Sequence, residues 1–342
     1  MPGRLVTVFG GNGFVGRHIV QRLAQQGARV RVACRDPEAA IFLKPLGDPG
    51  QIVTVKANVT VMEEVERAVA DADAVVNCVG LLAPFGRNTF QRAHVEGAGN
   101  IAKAAKAAGA TAMVQVSALG ADAQSDAVYA KTKAEGEQAV LSAFPEAVIL
   151  RPSIIVGPDD NFFNMFASMA RLSPALPVIG CSLFPRVSMK SSEGSAYGSI
   201  NYELCESGGP KFQPIFVGDV ADTVLEGLGN PGARGKVYEL CGPRVYSFRE
   251  LMELMLKTIQ RDRILMPIPF AMATIMAFFM ELVPGKPLTR DQVKLLRTDN
   301  VLSGDNPVAQ DLGITPRGIE AELSYLAAYR PPSGRRSRIR EA

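Results

Sequence analysis

Two side chains with suitable spacing for proton chemistry, Tyr129 and Lys133, lie four residues apart. Residues at this spacing share one face of a helix, and 128–143 has a helical pattern. A lysine ammonium beside a phenol lowers the pKa of the phenol, which suits tyrosine to give or take a proton during hydride transfer. Ser117, which follows a predicted strand at 112–116, would supply a third polar group. The alternative is an ordinary exposed pair, and only its place after that strand favours the catalytic interpretation.

Three glycines near the start of the chain predict a turn that binds phosphate. Gly10, Gly13 and Gly16 lie between an apolar run at 5–9, typical of a buried strand, and a segment with apolar residues at helical spacing. Gly10 permits a tight turn, Gly13 lets the backbone approach a pyrophosphate, and Gly16 lets the helix pack closely on the strand. The pyrophosphate would bind unpaired N–H groups at the positive end of the helix. The alternative is a tight turn without a ligand.

The end of the second predicted strand indicates which dinucleotide is bound. A site for NAD places an acidic residue about 20 residues after the glycines, where it bonds the ribose 2′-hydroxyl. Here the strand ends in Cys34, Arg35 and Asp36. The Arg35 guanidinium can bind a 2′-phosphate through two charge-assisted hydrogen bonds, each worth on the order of 1.5–3 kcal/mol, which favours NADPH. An inward-turned Asp36 would favour NAD, and a merely solvated Arg35 would favour neither.

Two further strand ends supply residues that would border the cofactor. Asn58 and Val59 follow the third predicted strand, at a position that often borders the adenine. Val79, Gly80 and Leu81 follow the fourth strand, where a glycine lets the backbone pass close to the cofactor ribose.

Strands and helices alternate over residues 1–150. The apolar patterns predict strands at 5–9, 29–34, 52–56, 74–79, 112–116 and 147–150, with helices between most of them. This alternation predicts an α/β fold with a doubly wound parallel sheet of the Rossmann type.

The chain divides into a dinucleotide-binding domain at 1–150, a smaller C-terminal lobe at 151–330 and a basic tail at 331–342. The later elements are too few for an independent domain. We therefore expect the lobe to be interleaved with the sheet and to face the carboxyl ends of the strands, where a substrate would bind. Residues 181–211 are rich in Ser and Gly and read as a long loop.

The composition excludes several classes of protein. The 342 residues are 47% hydrophobic and 21% charged, as in globular proteins, and a net charge of +3 is too small to indicate nucleic-acid binding. The five cysteines and two histidines have no metal-ligand spacing, so we expect no metal site, no disulfide framework and a reducing compartment. The first strand starts almost at Met1, which predicts no signal or transit peptide.

An uncharged stretch at 264–280 raises the question of membrane contact. Pro267 and Pro269 interrupt it, which leaves a helix at 270–283 of about 21 Å against a hydrocarbon core of about 30 Å, so we expect no membrane span. The helix belongs either to the core of the lobe or to a surface that contacts a membrane or a partner. The four arginines of the basic tail are either a solvated end or a tether for anionic lipid or an acidic partner.

Several motifs together resemble the extended and atypical short-chain dehydrogenase/reductase family. They are Gly10-Gly-Asn-Gly-Phe-Val-Gly16, Tyr129-Ala-Lys-Thr-Lys133, Arg151-Pro152, Gly157-Pro158 and Phe216-Val-Gly-Asp219-Val-Ala. The resemblance covers most of the chain and implies a Rossmann sheet that binds a nicotinamide dinucleotide. It implies that the cofactor also contacts Asn12, Phe14, Val15, Ser117, Tyr129, Lys133, Pro152 and Ile155.

Motifs at 144–147, 151–153, 161–169 and 287–293 carry a narrower resemblance. They read Phe-Pro-Glu-Ala, Arg-Pro-Ser, Asn-Phe-Phe-Asn-Met-Phe-Ala-Ser-Met and Pro-Leu-Thr-Arg-Asp-Gln-Val. They resemble the family of NADPH-binding accessory subunits of respiratory complex I, the NADH:ubiquinone oxidoreductase, in its bacterial form. This resemblance implies tightly held NADPH, partners among the other subunits, and no established turnover. It also implies a peripheral place on the cytoplasmic side of the bacterial inner membrane, near the quinone site, with lipid in reach of 270–283 and the basic tail.

Two departures from the active members of the reductase family predict cofactor binding without catalysis. Active members usually carry a run of Ser or Thr after the fifth strand, whereas 117–119 reads Ser-Ala-Leu. His94 stands where active members commonly have an asparagine that helps relay protons to the lysine. One alternative is a soluble NADPH-dependent reductase or epimerase in which Tyr129 is the acid/base and Lys133 supports it. Another is a sensor in which NADPH occupancy orders the lobe and changes docking.

Overall fold

The computed structural model of the protein describes residues 1–181, 186–190, 199–203, 208–283 and 286–331. The strands are β1 (Leu5–Phe9), β2 (Arg29–Cys34), β3 (Ile52–Lys56), β4 (Ala74–Asn77), β5 (Ala112–Val116), β6 (Val148–Pro152), β7 (Ile155–Val156), β8 (Ala175–Ile179), β9 (Arg186–Lys190), β10 (Ser199–Glu203), β11 (Lys211–Phe212), β12 (Ile215–Phe216), β13 (Val237–Leu240), β14 (Tyr246–Ser247) and β15 (Ile264–Ile268).

The α-helices are α1 (Phe14–Gln25), α2 (Met62–Val69), α3 (Gly97–Ala107), α4 (Val128–Ala143), α5 (Asn161–Leu172), α6 (Val217–Gly229), α7 (Phe248–Thr258), α8 (Phe270–Met280), α9 (Arg290–Leu295) and α10 (Ile319–Glu322). Short 3-10 segments lie at Glu38–Leu46, Pro231–Ala233, Ala309–Leu312 and Leu323–Tyr329, and a π-helical turn at Gln91–Glu96 leads into α3.

Seven parallel strands form the central sheet in the order β13-β6-β5-β4-β1-β2-β3. The order reverses between β1 and β4, and a crevice opens at such a point outside the carboxyl ends of the strands. The predicted doubly wound parallel sheet is therefore confirmed.

Helices cover both faces of this sheet, as its mostly apolar strands require. On one face α1 and α6 pack together, with Ile19, Leu23 and Val224 completely buried against the sheet. On the other face α2, α3 and α4 contribute Val65, Ile101 and other small apolar residues. The helix α6 and the edge strand β13 belong to the second half of the sequence, so the sheet layer is built from both halves.

The remaining second-half elements form a smaller lobe with its own apolar core. Phe163 of α5 and Phe248 of α7 are buried there with Leu323 of the last 3-10 segment. Asp160 caps α5 by accepting hydrogen bonds from backbone N–H groups, and the hydroxyl of Tyr325 also donates to its carboxylate. These contacts fasten the end of the described chain to the lobe.

Several expectations for the second half were wrong or lie outside the described residues. The loop expected over 181–211 contains β9 and β10, which pair antiparallel, and its other residues are described only in part. The apolar helix ends at Met280 rather than 283, because the chain turns at 281–283. Cys181 is disulfide-bonded, which does not fit the expected reducing compartment without a disulfide framework, whereas Cys34, Cys78 and Cys241 are free. The basic tail beyond residue 331 lies outside the described residues.

Candidate functional site

The glycine loop joins β1 to α1 with the tight geometry that its sequence predicts. Gly10 has a φ of +73°, in the left-handed region that favours glycine. A Cβ on Gly16 would lie 2.2 Å from the carbonyl oxygen of Gly10, so a side chain there would displace the backbone. A Cβ on Gly13 would lie 3.2 Å from the same oxygen, and Gly13 is exposed. The loop therefore needs Gly10 and Gly16 for its own fold, and Gly13 chiefly for what approaches from outside.

The start of α1 presents backbone N–H groups at the carboxyl edge of the sheet. Gly13 is the N-cap, and it offers no side chain to the first N–H groups of the helix. These groups have no partner within the helix, and the helix dipole gives them partial positive charge. Asn12, Phe14 and Val15 are partly buried around them. This arrangement fits the pyrophosphate of a dinucleotide.

The end of β2 carries Arg35 and Asp36, the residues predicted to lie at the ribose 2′ position of the cofactor. Arg35 is exposed, and among the described residues its guanidinium makes no hydrogen bond or ion pair. Asp36 Oδ1 accepts hydrogen bonds from the backbone N–H groups of Glu38 and Ala39, at 3.1 and 3.3 Å. The carboxylate of Asp36 is thereby held to the segment after β2, while the cation of Arg35 stays available to a ligand.

The turn after β3 holds the two residues predicted to border the adenine. Asn58 Oδ1 accepts hydrogen bonds from the backbone N–H and the hydroxyl of Thr60, at 3.2 and 3.0 Å. Val59 packs on the start of α3, where a Cβ on Gly97 would lie 2.6 Å from Val59 Cγ2. Both residues are partly buried at the carboxyl edge of the sheet.

The loop after β4 lies between the glycine loop and α4. A Cβ on Gly10 would lie 3.3 Å from the backbone nitrogen of Val79, so the two loops are in contact. Gly80 is exposed, and a Cβ there would lie 3.5 Å from Lys133 Nζ. Leu81 follows, partly buried. The structure therefore brings the glycine loop, residues 79–81 and Lys133 together in one cleft.

Tyr129 and Lys133 lie on one face of α4, as their spacing predicts, with Lys133 Nζ 5.9 Å from the centre of the tyrosine ring. Burial lowers the pKa of Lys133 to about 8, although Glu137 and Cys78 act in the opposite direction. Burial raises the pKa of Tyr129 to about 12. The expectation that the lysine lowers the phenol pKa is therefore wrong, because the loss of water around the phenol dominates.

The hydroxyl of Ser117 is already engaged by a buried ion pair. Ser117 Oγ donates to Glu137 Oε1 at 2.5 Å, and the Arg151 guanidinium bonds both oxygens of that carboxylate, at 2.6 to 3.2 Å. Ser117 and Glu137 are both buried. Leu119, two residues further along the cleft, has no hydroxyl to offer a substrate. The sequence did not single out Glu137, although it lies one helical turn after Lys133 on the same face.

His94 joins two walls of the cleft, a role that its position in the sequence did not reveal. Its Nε2 accepts a hydrogen bond from the Leu81 backbone N–H at 3.0 Å, and its Nδ1 lies 3.1 Å from the hydroxyl of Thr132 on α4. Since Nε2 accepts, the proton is assigned to Nδ1. Burial lowers the pKa of His94 to about 3, so the imidazole is neutral.

The C-terminal lobe also reaches the cleft. Asp291 of α9 accepts hydrogen bonds from the backbone N–H groups of Val128 and Tyr129, at 2.7 and 2.9 Å, and so caps α4. Lys286 Nζ donates to the Pro84 carbonyl in the loop after β4, at 3.0 Å. These contacts span more than 160 residues of sequence, and no local pattern signals them.

Pro152 and Ile155 lie where β6 ends and β7 begins, with Pro152 buried and Ile155 partly buried. The Pro152 carbonyl accepts from the Leu119 backbone N–H at 2.8 Å, which fixes this strand end beside the Ser117 turn. No group of side chains that could hold a metal ion occurs in the described ranges. Within the same ranges, no helix is both long and apolar enough to cross a bilayer.

Comparison with known proteins supports the binding of a nicotinamide dinucleotide in this cleft. A family model described as NAD(P)H-binding matches residues 10–159, so the chain carries an NAD(P)H-binding domain. The chain is 32% identical to "NADH dehydrogenase [ubiquinone] 1 alpha subcomplex subunit 9, mitochondrial" of Arabidopsis thaliana, over 96% of this chain and 79% of that protein. The chain belongs to the family of this subunit. The Mus musculus subunit of the same name is 29% identical, over 96% of this chain and 81% of the relative.

Solved structures support the fold. A nucleoside-diphosphate-sugar epimerase from Staphylococcus aureus superposes with a TM-score of 0.68, covering 95% of this chain and 100% of that one at 15% identity. A UDP-glucose 4-epimerase from Thermus thermophilus, solved in complex with NAD, gives 0.65 at 17% identity, with 96% and 100% coverage. The predicted family, both the short-chain dehydrogenase/reductase fold and the complex I subunit, is confirmed.

Proposed function

We propose that the chain is an NADPH-binding accessory subunit of respiratory complex I that holds its cofactor without turning over a substrate. The observation that carries this proposal is a cofactor cleft with an intact glycine loop but with the Ser117 hydroxyl held by Glu137. Membership of the subunit 9 family supports the assignment to complex I. The residues of the cleft support the assignment of the cofactor and explain the lack of turnover.

The preference for NADPH over NADH rests on the end of β2. The exposed Arg35 offers a cation to a 2′-phosphate, while the Asp36 carboxylate is occupied with the backbone of the next segment. A site for NAD needs an acidic group that accepts from the ribose hydroxyls. Neither residue fills that role in this arrangement.

The lack of turnover rests on the groups that would face a substrate carbonyl. The Ser117 hydroxyl donates a hydrogen bond to Glu137, and the Arg151 guanidinium donates to the same carboxylate. Freeing the hydroxyl would leave a buried carboxylate short of a partner, which is costly. With a pKa near 12, Tyr129 stays protonated at neutral pH and exchanges its proton poorly. Cofactor binding needs none of these steps.

The proposed placement in the complex is based on an apolar surface of the C-terminal lobe. The helix α8 exposes Met272, Ile275, Phe278 and Phe279, and the following turn exposes Leu282 and Val283. An apolar patch of this kind marks a contact surface. We propose that it contacts the other subunits where the peripheral arm meets the membrane, near the quinone site. In a bacterium this is the cytoplasmic side of the inner membrane, and lipid is then in reach of α8 and the basic tail.

The test is co-purification from a bacterium that contains complex I. A tagged chain, solubilised in mild detergent, is expected to migrate with the complex on native gels and to release NADPH when denatured. Recovery of the chain alone would overturn the assignment to the complex. The reductase alternative makes a different prediction, namely that bound NADPH is oxidised by some carbonyl substrate and that Tyr129→Phe abolishes the reaction.

A further inference from the structure

A second arginine lies at the rim of the cofactor cleft. Arg17 follows Gly16 directly and lies in the first turn of α1. Its Nε donates to the Gly13 carbonyl at 3.3 Å, and its Nη2 lies 3.5 Å from the Asn12 carbonyl. Its Nη1 bonds Asp159 Oδ2 at 2.8 Å. A guanidinium has five N–H donors, so two remain for a ligand.

The plane of this guanidinium is also fixed from the side of β2. Arg17 Cζ lies 5.1 Å from the centre of the Phe42 ring, and Phe42 belongs to the 3-10 segment that follows Arg35 and Asp36. Arginine stacks well on aromatic rings because its guanidinium is flat and weakly hydrated. The side chain of Arg17 therefore bridges the glycine loop and the segment after β2.

The space between these two segments is the place for the adenosine ribose. In a Rossmann fold the residue at the end of β2 recognises the ribose 2′ position, and the glycine loop binds the adjacent pyrophosphate. The glycine loop and the end of β2 are adjacent here, since the Gly10 N–H donates to the Ala33 carbonyl of β2 at 3.1 Å. A 2′-phosphate on this ribose would therefore have Arg35 on one side and Arg17 on the other.

Resting on the proposed preference for NADPH, we propose that Arg17 is a second cation for the 2′-phosphate and contributes to the choice of NADPH over NADH. The phosphate takes the two unused N–H donors as charge-assisted hydrogen bonds. Asp159 is nearly half exposed, and its carboxylate orients Arg17 without enclosing it. Phe42 keeps the guanidinium from turning away into solvent.

A purely structural role for Arg17 makes a distinct prediction. In that case the ion pair with Asp159 only ties the glycine loop to the turn at 157–160. Loss of the arginine would then weaken the binding of NADPH and of NADH by the same factor, because both cofactors bind the glycine loop. A role in recognising the 2′-phosphate changes the ratio of the two dissociation constants.

The experiment compares the binding of NADPH and NADH by titration calorimetry in the wild-type chain, Arg17→Met, Arg35→Met and Arg29→Met. Arg29 is an exposed arginine at the opposite end of β2, so its variant controls for net charge. We expect Arg17→Met to raise the dissociation constant of NADPH at least about tenfold and that of NADH less than about twofold. Arg29→Met should change neither. Arg17→Lys, which keeps the charge but not the flat fork, should retain part of the preference.

Equal weakening of both cofactors by Arg17→Met, or no change in either, would overturn the role of Arg17. If the wild-type chain prefers NADPH and only Arg35→Met removes that preference, the inference fails while the proposed NADPH function stands. If the wild-type chain binds both cofactors equally, the proposed NADPH preference fails and the inference fails with it. Circular dichroism of each variant verifies that the fold is retained.

Discussion

At the scale of single residues, a neutral histidine holds the cofactor cleft in shape. His94 accepts from the loop after β4 and faces Thr132 on α4, with its ring stacked on Phe90 at 5.3 Å and perpendicular to Tyr129 at 5.4 Å. A protonated ring could not accept from Leu81, because both of its nitrogens would then be donors. The shape of the cleft is therefore linked to the neutral form of His94.

This linkage predicts a loss of stability in acid. The unfolded chain takes up a proton at this histidine near pH 6.5, whereas the folded chain does so only near pH 3. Stability is then complete above pH 6.5 and falls as the pH drops towards 3. By pH 5 the loss is about 2 kcal/mol from this group alone. Urea unfolding at pH 7 and pH 5 measures it, and His94→Gln, which can still accept from Leu81, should show a smaller pH dependence. An identical dependence in the variant would refute the assignment.

The glycine loop allows a matched pair of substitutions that separates fold from ligand. Gly16→Ala places a Cβ 2.2 Å from the Gly10 carbonyl oxygen, so we expect a loss of several kcal/mol in unfolding free energy. Gly13→Ala has a 3.2 Å contact at an exposed position, so we expect a stable protein that binds NADPH at least tenfold more weakly. Thermal unfolding and cofactor titration of both variants measure these effects. Normal cofactor affinity in Gly13→Ala would contradict the role given to this loop.

At the scale of elements, α4 depends on a cap from a distant part of the chain. Its own N-cap, Ala127, provides no side-chain hydrogen bond, and Asp291 of α9 supplies the carboxylate instead. A negative charge at this end also interacts favourably with the helix dipole. The position of Tyr129 is therefore set partly by the C-terminal lobe.

Removing this cap should loosen the start of α4. We expect Asp291→Ala to cost about 1 kcal/mol of unfolding free energy, as other helix caps do, and to speed amide exchange at Val128 and Tyr129. Asp291→Asn, which keeps an accepting oxygen, should lose less. Asp262→Ala, at an exposed aspartate away from any helix start, is the control. Unchanged exchange at Tyr129 in Asp291→Ala would show that the cap does not hold the helix.

These contacts also mark the limit of what the sequence could predict. The glycine loop, the sheet and the Tyr129/Lys133 face follow from local periodicity and spacing, and the structure has all of them. The capture of Ser117 by Glu137, the His94 bridge and the Asp291 cap join residues that are distant in sequence. Local patterns carry no information about such pairs. The raised pKa of Tyr129 likewise depends on burial, which the spacing of Tyr and Lys does not reveal.

At the scale of the whole molecule, the cofactor cleft and the exposed face of α8 belong to one connected body. Lys286 and Asp291 tie the segment after α8 to the loop after β4 and to α4. The buried side of α8 is anchored by Ala273 and Ala277, both almost completely buried. The apolar side chains of its other face are left at the surface. The proposed contact with other subunits needs a helix that is firmly attached and still exposed, and α8 meets both conditions.

The contact face gives a prediction about assembly. We expect the double variant Phe278→Ser/Phe279→Ser to bind NADPH normally but to be lost from complex I on native gels, because its exposed apolar surface is reduced. Leu172→Ser, an exposed apolar residue on α5, is the control. Flotation of the wild-type chain with vesicles that contain anionic lipid tests for direct lipid contact. Undiminished co-migration of the double variant would exclude α8 from the interface.

The edge strand β13 has a consequence for how the chain is made. It completes the sheet beside β6, yet more than 80 residues separate the two strands in the chain. During synthesis the edge of β6 therefore stays unpaired for on the order of ten seconds. The apolar face of the sheet that α6 covers is also exposed until α6 has been made. An unpaired strand edge of this kind recruits other chains. The nascent protein thus has a defined interval of aggregation risk, which ends only when β13 leaves the ribosome.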